Sequence, residues 1–297
     1  MSATTKRSTT MLRHARPKSI EENRMQIVPL EGPLGAEIVG LDPRQPVTPG
    51  DQDAIEKALA RYQVLRIRGA PMSAVELRDF SSHFGELRQH VARGYRLRDL
   101  PEVVMMANQD DAGNFDTTGA GRGVGWHSDG TFEAVPPKAT ILHAIATPTS
   151  GGNTQFTNTR LAYERLPAAL RERVDGRNAL FRLRGRNHHT QNIVHGDDLK
   201  KLTDVTHPVV RVHPRTGRKS VFANPHHTLR ILDMTEAESD ALLNELEAFC
   251  TQPEFQWEQQ WKAGDTVIWD NHSTWHRGRG DNPKDQLRKF MRTTICE

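Results

Sequence analysis

Apolar positions along this chain fall in short runs, and few of the runs reach helical length. Residues 63–67, 103–106, 140–146, 209–212, 220–223, 255–257 and 266–269 have the alternating or continuous apolar character of strands, and 27–38 reads as a short strand pair. Helical spacing occurs at 49–61 behind Thr48, at 72–84 ending before Gly85, at 160–174 with Pro167 interrupting it, and at 235–251. Many short strands with a few flanking helices predict a mainly β fold with a jelly-roll core. No internal repeat or low-complexity linker interrupts the pattern. It fails in two places. Residues 108–125 are rich in glycine and aspartate, and 178–204 is strongly polar, with Arg182, Arg184, Arg186, His188, His189 and His195. Long unpatterned loops are where mobile lids are found, and the first one lies just before the candidate ligands described below. Most charges of the second read as a solvated insertion.

A chain of 297 residues with a net charge of +3 can bury one large core, so one domain is expected over 25–297. So small a net charge gives no reason to expect nucleic acid or a membrane surface as partner. Residues 1–24 are polar and carry Lys6, Arg7, Arg13, Arg16 and Lys18, which predicts a flexible basic tail; a mitochondrial transit segment is the alternative. Cys250 and Cys296 give no disulfide framework, which fits a reducing cytoplasm. No apolar run approaches the roughly 18 residues needed to span a membrane.

Candidate chemistry concentrates in Trp126-His127-Ser128-Asp129 and in the distant Trp275-His276. Two imidazoles and one carboxylate can take one face of an octahedral ferrous ion and leave the other face open. If 127–129 is extended, His127 and Asp129 point to one side and Ser128 to the other. Arg288 and Arg292, four apart in a strand, can both face one cavity and receive a dicarboxylate through paired charge-assisted hydrogen bonds. The pairs His188-His189 and His226-His227 read as surface or hydrogen-bonding histidines, because neighbours in a strand face opposite sides. Trp126 and Trp275 are assigned to packing. Gly151-Gly152 lacks the Gly-Lys-Ser/Thr of a phosphate loop and reads as a tight turn.

Several segments then occur in a familiar order: Trp126 to Phe132, Pro136-Pro137, Ile141 to Ala144, Gly151-Gly152-Asn153-Thr154, Ala162 to Leu166, His207 to Arg211 and Trp269-Asp270-Asn271. With Pro33 to Gly40 and Phe84 to Leu87, they span residues 26–295 and resemble the taurine dioxygenase family of Fe(II)- and 2-oxoglutarate-dependent oxygenases. The resemblance implies a double-stranded β-helix in which His127, Asp129 and His276 bind Fe(II). It implies that Thr154 and Arg292 hold the distal carboxylate of 2-oxoglutarate, and that Arg288 lies near the metal-chelating end. It also places His90 at the substrate, where the family's taurine enzyme contacts a sulfonate, and puts the polar 178–204 stretch over that substrate.

The activity so implied is hydroxylation of a C–H bond with O2, releasing succinate and CO2. Relative to the family's taurine enzyme, Gly130 stands in place of a valine and Arg93 in place of a tyrosine, which predicts a pocket enlarged at Gly130, altered polar contacts and a substrate other than taurine. A small anionic molecule is expected, and a homo-oligomer. A zinc-dependent hydrolase and a non-catalytic small-molecule-binding β-sandwich are the alternatives; the first would leave the Arg288/Arg292 pair superfluous, and the second would not require the complete triad.

Overall fold

The computed structural model describes residues 25–90, 93–110, 112–115, 123–183 and 203–297, without the side chain of Arg93. The basic tail, the centre of the first lid segment and most of the second, including His188, His189 and His195, lie outside the described residues. Strands β1 (Gln26–Pro29) and β2 (Ala36–Val39) form an antiparallel pair. Helix α1 (Pro49–Tyr62) follows, with the Thr48 hydroxyl accepting from Asp51 N and Pro49 in the first turn, where its missing N–H is no loss. Gln63 closes the helix with a φ of 67°, so β3 begins one residue later than expected (Val64–Ile67). Helix α2 (Ala74–Ser82) starts from a Ser73/Glu76 capping box, and β4 (Val104–Ala107) and β5 (Ala139–Ala146) follow.

Then come β6 (Thr154–Asn158), α3 (Thr159–Glu164) and α4 (Ala168–Val174). Pro167 sits at the N-cap of α4, so the single interrupted helix expected at 160–174 is two. Next are β7 (Asn178–Phe181), β8 (Val205–Pro208), β9 (Val210–Val212), β10 (Lys219–Val221) and β11 (Thr228–Ile231). A Thr235/Glu238 capping box opens α5 (Glu236–Cys250). The chain ends with β12 (Gln256–Gln259), β13 (Thr266–Asp270), β14 (Thr274–Gly278) and β15 (Lys289–Ile295).

Seven strands make one sheet in the order β1-β2-β3-β13-β5-β15-β4, and β12-β6-β14 make a second. Strand alternation feeds two separate cores. Val64, Leu142, Val267, Trp269 and Phe290 point inward and meet Phe156 from the second sheet and Trp261, which follows β12. Their neighbours Leu65, Ile141, Ile268 and Met291 point the other way and pack under Ile55 of α1 and Leu77 and Phe80 of α2. Burial on both faces explains why these strands read as nearly continuous apolar runs. A third core joins α3, α4 and α5 to the smaller sheets β11-β7-β8 and β10-β9. Trp126 and Trp275 lie within it, in packing roles. The architecture is mixed α/β with more strand than helix.

Candidate metal and co-substrate site

Between the two main sheets, His127 and His276 are joined as an isolated antiparallel bridge: His127 N donates to His276 O at 3.0 Å, and His276 N to His127 O at 2.7 Å. The extended strand expected at 127–129 reduces to this one bridge residue, because the chain turns at Asp129 and Gly130. The facing survives the shortening. Ser128 points away and donates to Asn271 O at 2.6 Å. His127, Asp129 and His276 each offer a ligand atom, all within 4.8 Å of one another.

Asp129 is held from behind. Its Oδ2 accepts from the Thr140 hydroxyl at 2.7 Å, and Thr140 Oγ1 accepts in turn from Asn271 Nδ2 at 3.0 Å. Burial by itself raises the pKa of this carboxyl, but Arg292, His276, His127 and the Thr140 hydroxyl outweigh it and hold the group well below the usual carboxylate range. His127 Nδ1 lies 2.8 Å from Gly125 O. A carbonyl can only accept, so Nδ1 carries a proton and Nε2 is the nitrogen turned toward Asp129. Burial, then His127, pushes His276 down to about 3, which leaves its ring uncharged at neutral pH. Two imidazoles and one ionised carboxylate converging on a point are a donor set that suits Fe(II).

The triad opens into a cavity of about 520 Å³ lined by Met106, Phe132, Leu183, Thr154, Arg288 and Arg292, among others. Arg292 Nη1 is 3.4 Å from Asp129 Oδ1, and its Nε is buried with no hydrogen-bond partner among the described residues. An unpartnered guanidinium nitrogen beside the metal position fits an anionic ligand. Arg288 donates from Nε to Gly152 O at 3.0 Å, and its guanidinium lies 4.3 Å over the Phe290 ring. Burial lowers its pKa to about 10, which leaves it charged at neutral pH. Thr154 Oγ1 accepts from Trp261 Nε1 at 3.0 Å, so its own hydrogen is available to a carboxylate. Gly151 and Gly152, at φ 65° and 68°, make the tight turn into Thr154; a Cβ on Gly151 would stand 2.7 Å from Asp281 O.

Geometry reverses the order expected for the two arginines. Strand β15 runs antiparallel to β5, pairing Lys289 with Ala146 and Arg292 with Leu142. Later residues of β15 therefore approach Thr140 and the Asp129 it holds. Arg292 is on the metal side, and Arg288 is beside the turn that leads to Thr154.

His90 lines the cavity, as does Gly130. Glycine at 130 does not enlarge the pocket, however: φ is 65°, and a Cβ would stand 2.4 Å from Pro137 Cδ. The turn and the proline, not the substrate, demand it. Arg93 belongs to a short 3-10 turn at the segment following His90, and its side chain is outside the described residues.

Sequence reading missed four cavity residues: Arg88, Glu133, His226 and His227. The His226 and His227 rings lie 5.5 and 6.1 Å from that of His127. They are in a turn after Asn224-Pro225, where the alternation used to dismiss them does not apply; the Asn-Pro turn signal was the available clue. Arg88 had a clue in its spacing of two from His90. Glu133 had only its position next to Phe132.

Residues 26–294 match the family model described as taurine catabolism dioxygenase TauD, TfdA family, and the chain belongs to that family. It is an alpha-ketoglutarate (2-oxoglutarate)-dependent dioxygenase, with 2-oxoglutarate as co-substrate and a His-Asp-His site for Fe(II). It is 32% identical over 282 residues to an alkylsulfatase of Acinetobacter baylyi, covering 92% of this chain and 85% of the relative. It is 30% identical to an alpha-ketoglutarate-dependent sulfate ester dioxygenase of Pseudomonas putida, covering 92% and 89%. It is also 30% identical to an alpha-ketoglutarate-dependent 2,4-dichlorophenoxyacetate dioxygenase of Cupriavidus pinatubonensis, covering 84% and 91%. Among solved structures, it superposes on a taurine dioxygenase from Burkholderia xenovorans with a TM-score of 0.75 at 32% identity, covering 92% and 90%. It superposes on AAD-2 in complex with Mn(II) and N-oxalylglycine with a TM-score of 0.80 at 28% identity, covering 92% and 97%. Neither a zinc hydrolase nor a non-catalytic binder accords with this membership. Among the described residues, no helix is long and apolar enough to cross a membrane.

Proposed function

We propose that this dioxygenase hydroxylates a small organic anion, with a sulfate ester as the first class to test, and that His127, Asp129 and His276 hold its Fe(II). The observation that carries this reading is the triad's opening into a cavity that also holds two half-buried arginines. In this reading the two main sheets are the halves of a jelly-roll with the metal between them.

Bound Fe(II) with 2-oxoglutarate and O2 supplies the oxidising chemistry, turning a substrate C–H into C–OH while the keto acid leaves as succinate and CO2. The chain's residues bind and orient. Arg288 and Thr154 take the distal carboxylate of 2-oxoglutarate, and the Phe290 ring under Arg288 keeps its guanidinium in place. Arg292 stands between the metal carboxylate and the open cavity, where it can orient the keto acid's inner carboxylate or an anionic group of the substrate. With Fe(II), 2-oxoglutarate, Asp129 and both arginines counted together, one positive charge is left over, which a monoanionic substrate neutralises. Met106, Phe132 and Leu183 offer apolar surface to its carbon chain and exclude water. The relatives named for sulfate esters and for 2,4-dichlorophenoxyacetate act on anions of this kind, which supports the class without fixing the compound.

Anaerobic addition of Fe(II) and 2-oxoglutarate is expected to give a visible metal-to-ligand charge-transfer band, lost in His276→Ala. Succinate release is then measured with alkyl sulfates, alkanesulfonates, aryloxyalkanoates and their uncharged counterparts. Faster turnover of the uncharged set would overturn the anionic assignment. Self-association is read separately from sedimentation.

A further inference from the structure

The cavity wall carries an ion pair that the reaction above does not use. Arg88 Nη1 is paired with Glu133 Oε2; the two side chains are only 19% and 23% exposed, and both residues line the cavity with Asp129 and Arg292. Arg88 is anchored independently of its partner. Its backbone N donates to Thr294 O at 2.8 Å, and its Nη2 donates to Val135 O at 2.9 Å. The first of these bonds sets Arg88 against β15 two residues beyond Arg292. Thr294 and His90 line the same cavity, so two guanidinium groups and an imidazole are gathered along it.

Glu133 is differently held. Its backbone N donates to Gly130 O at 3.0 Å in a short turn, and its Oε1 lies 3.3 Å from where a Cβ on Gly130 would stand. The bare glycine leaves the carboxylate room to move without moving the backbone. Burial raises the pKa of Glu133 and Arg88 lowers it, and with the charge of Asp129 also raising it the net direction is upward. Its negative charge is thus held at a cost in this wall. A buried ion pair adds little net stability, yet leaving one member unpaired is expensive. An arginine kept for a visiting anion therefore needs a partner while the cavity is empty.

We infer that Glu133 is an internal stand-in for the anionic group of the substrate: it occupies Arg88 in the free protein and swings aside when the substrate anion binds there, within reach of Arg292. This rests on the anionic-substrate reading above and adds the residues that enforce it. An uncharged molecule cannot take Glu133's place without stranding the Arg88 charge, so the pair filters by charge. The filter scales apparent affinity for the right substrate by the fraction of time the pair is open.

Hexyl sulfate is the probe, with 1-hexanol as its uncharged counterpart. Each is titrated anaerobically into protein loaded with Fe(II) and 2-oxoglutarate, and binding is followed by calorimetry and by the shift of the charge-transfer band. Glu133→Gln keeps the size and a hydrogen bond to Arg88 but removes the competing charge. It is expected to tighten hexyl sulfate roughly three- to tenfold and leave 1-hexanol unchanged. Arg88→Gln is expected to weaken hexyl sulfate by roughly ten- to a hundredfold. Should Arg88→Gln fail to fold, Glu133→Gln alone decides. Unchanged or weaker hexyl sulfate binding in a folded Glu133→Gln variant overturns the stand-in role. If Arg292→Gln still loses the probe in that case, the anionic-substrate reading stands without it. If neither the unsubstituted protein nor Glu133→Gln binds hexyl sulfate, hexanesulfonate or hexanoate, both readings fall together.

Discussion

Arg288, just before β15, and Arg292, within it, are the same residue type lining one cavity, yet their surroundings differ. Arg288 is enclosed beside Gly152 and Phe290, whereas Arg292 reaches Asp129. Arg288→Ala is therefore expected to raise the 2-oxoglutarate requirement by roughly 30- to several-thousand-fold, the equivalent of about 2–5 kcal/mol for breaking a confined charge pair. Thr154→Ala removes one neutral hydroxyl and costs nearer ~1 kcal/mol. Titrating succinate release against 2-oxoglutarate in both variants checks the ranking; a smaller effect from Arg288→Ala than from Thr154→Ala reverses it. Gly130 gives a second prediction. Gly130→Ala places a side chain at φ 65° against Pro137. It is expected to cost roughly 1–2 kcal/mol for the left-handed backbone and about 1–3 more for the overlap. Denaturant midpoints read the loss, and a variant as stable as the parent would return Gly130 to the role of a pocket-size determinant.

Elements here divide into those that hold the fold and those that hold the site. Helix α5 begins with the Thr235/Glu238 capping box on the far side of the third core. Thr235→Ala should cost about 0.5–2 kcal/mol of stability and leave the 2-oxoglutarate requirement unchanged. Asn108 behaves oppositely: its Oδ1 accepts from Arg288 N at 2.8 Å and its Nδ2 donates to Gln286 O at 2.9 Å, pinning the start of β15. Asn108→Ala should raise the 2-oxoglutarate requirement more than it lowers the melting temperature. Equal effects of the two substitutions on that requirement would refute the division. Asn108 also shows where sequence reading stopped. It opens the glycine-rich 108–125 stretch, where nothing local marks a polar residue that braces a strand 180 positions away. Helices α1, α2 and α5 were legible from caps and spacing, and strands buried on both faces from their apolar runs. Strands β6, β7, β8, β11 and β14 carry no such signal, and β7 opens the 178–204 stretch whose polarity reads as an insertion. Thr154–Asn158 is fully buried yet largely polar in sequence, its polar side chains being satisfied by partners that only the tertiary structure supplies. The triad was legible from residue chemistry and order, while the arginine order needed the register of β15.

At the scale of the whole molecule, several histidines are kept uncharged by burial. His143 accepts from Met72 N and bonds Thr266 Oγ1, with its pKa pushed down to about 4; His226 is likewise pushed to about 4 and His276 to about 3. In the unfolded chain such groups titrate near ~6.5. Between those values the unfolded chain binds protons that the folded one does not. Stability present above pH ~6.5 is accordingly lost as pH falls toward 4, by up to about 1.4 kcal/mol per pH unit for each histidine. The thermal midpoint of the metal-free protein should drop across that window, and His143→Gln should flatten the drop while lowering the midpoint at pH 7. A slope unchanged by His143→Gln would remove this residue from the effect.

Strand β15 lies between β5 and β4, both of which precede it by more than a hundred residues, and β14 supplies His276 just before it. During synthesis, His127, Asp129 and five of the seven strands of the large sheet therefore emerge around two slots that stay empty until β13 and β15 arrive. A partly made chain has neither His276 nor the two arginines to which the proposed site assigns the organic anions. Under that proposal, assembly order protects the nascent protein from its own reagent, since no chain could become an oxidant before it is able to enclose one.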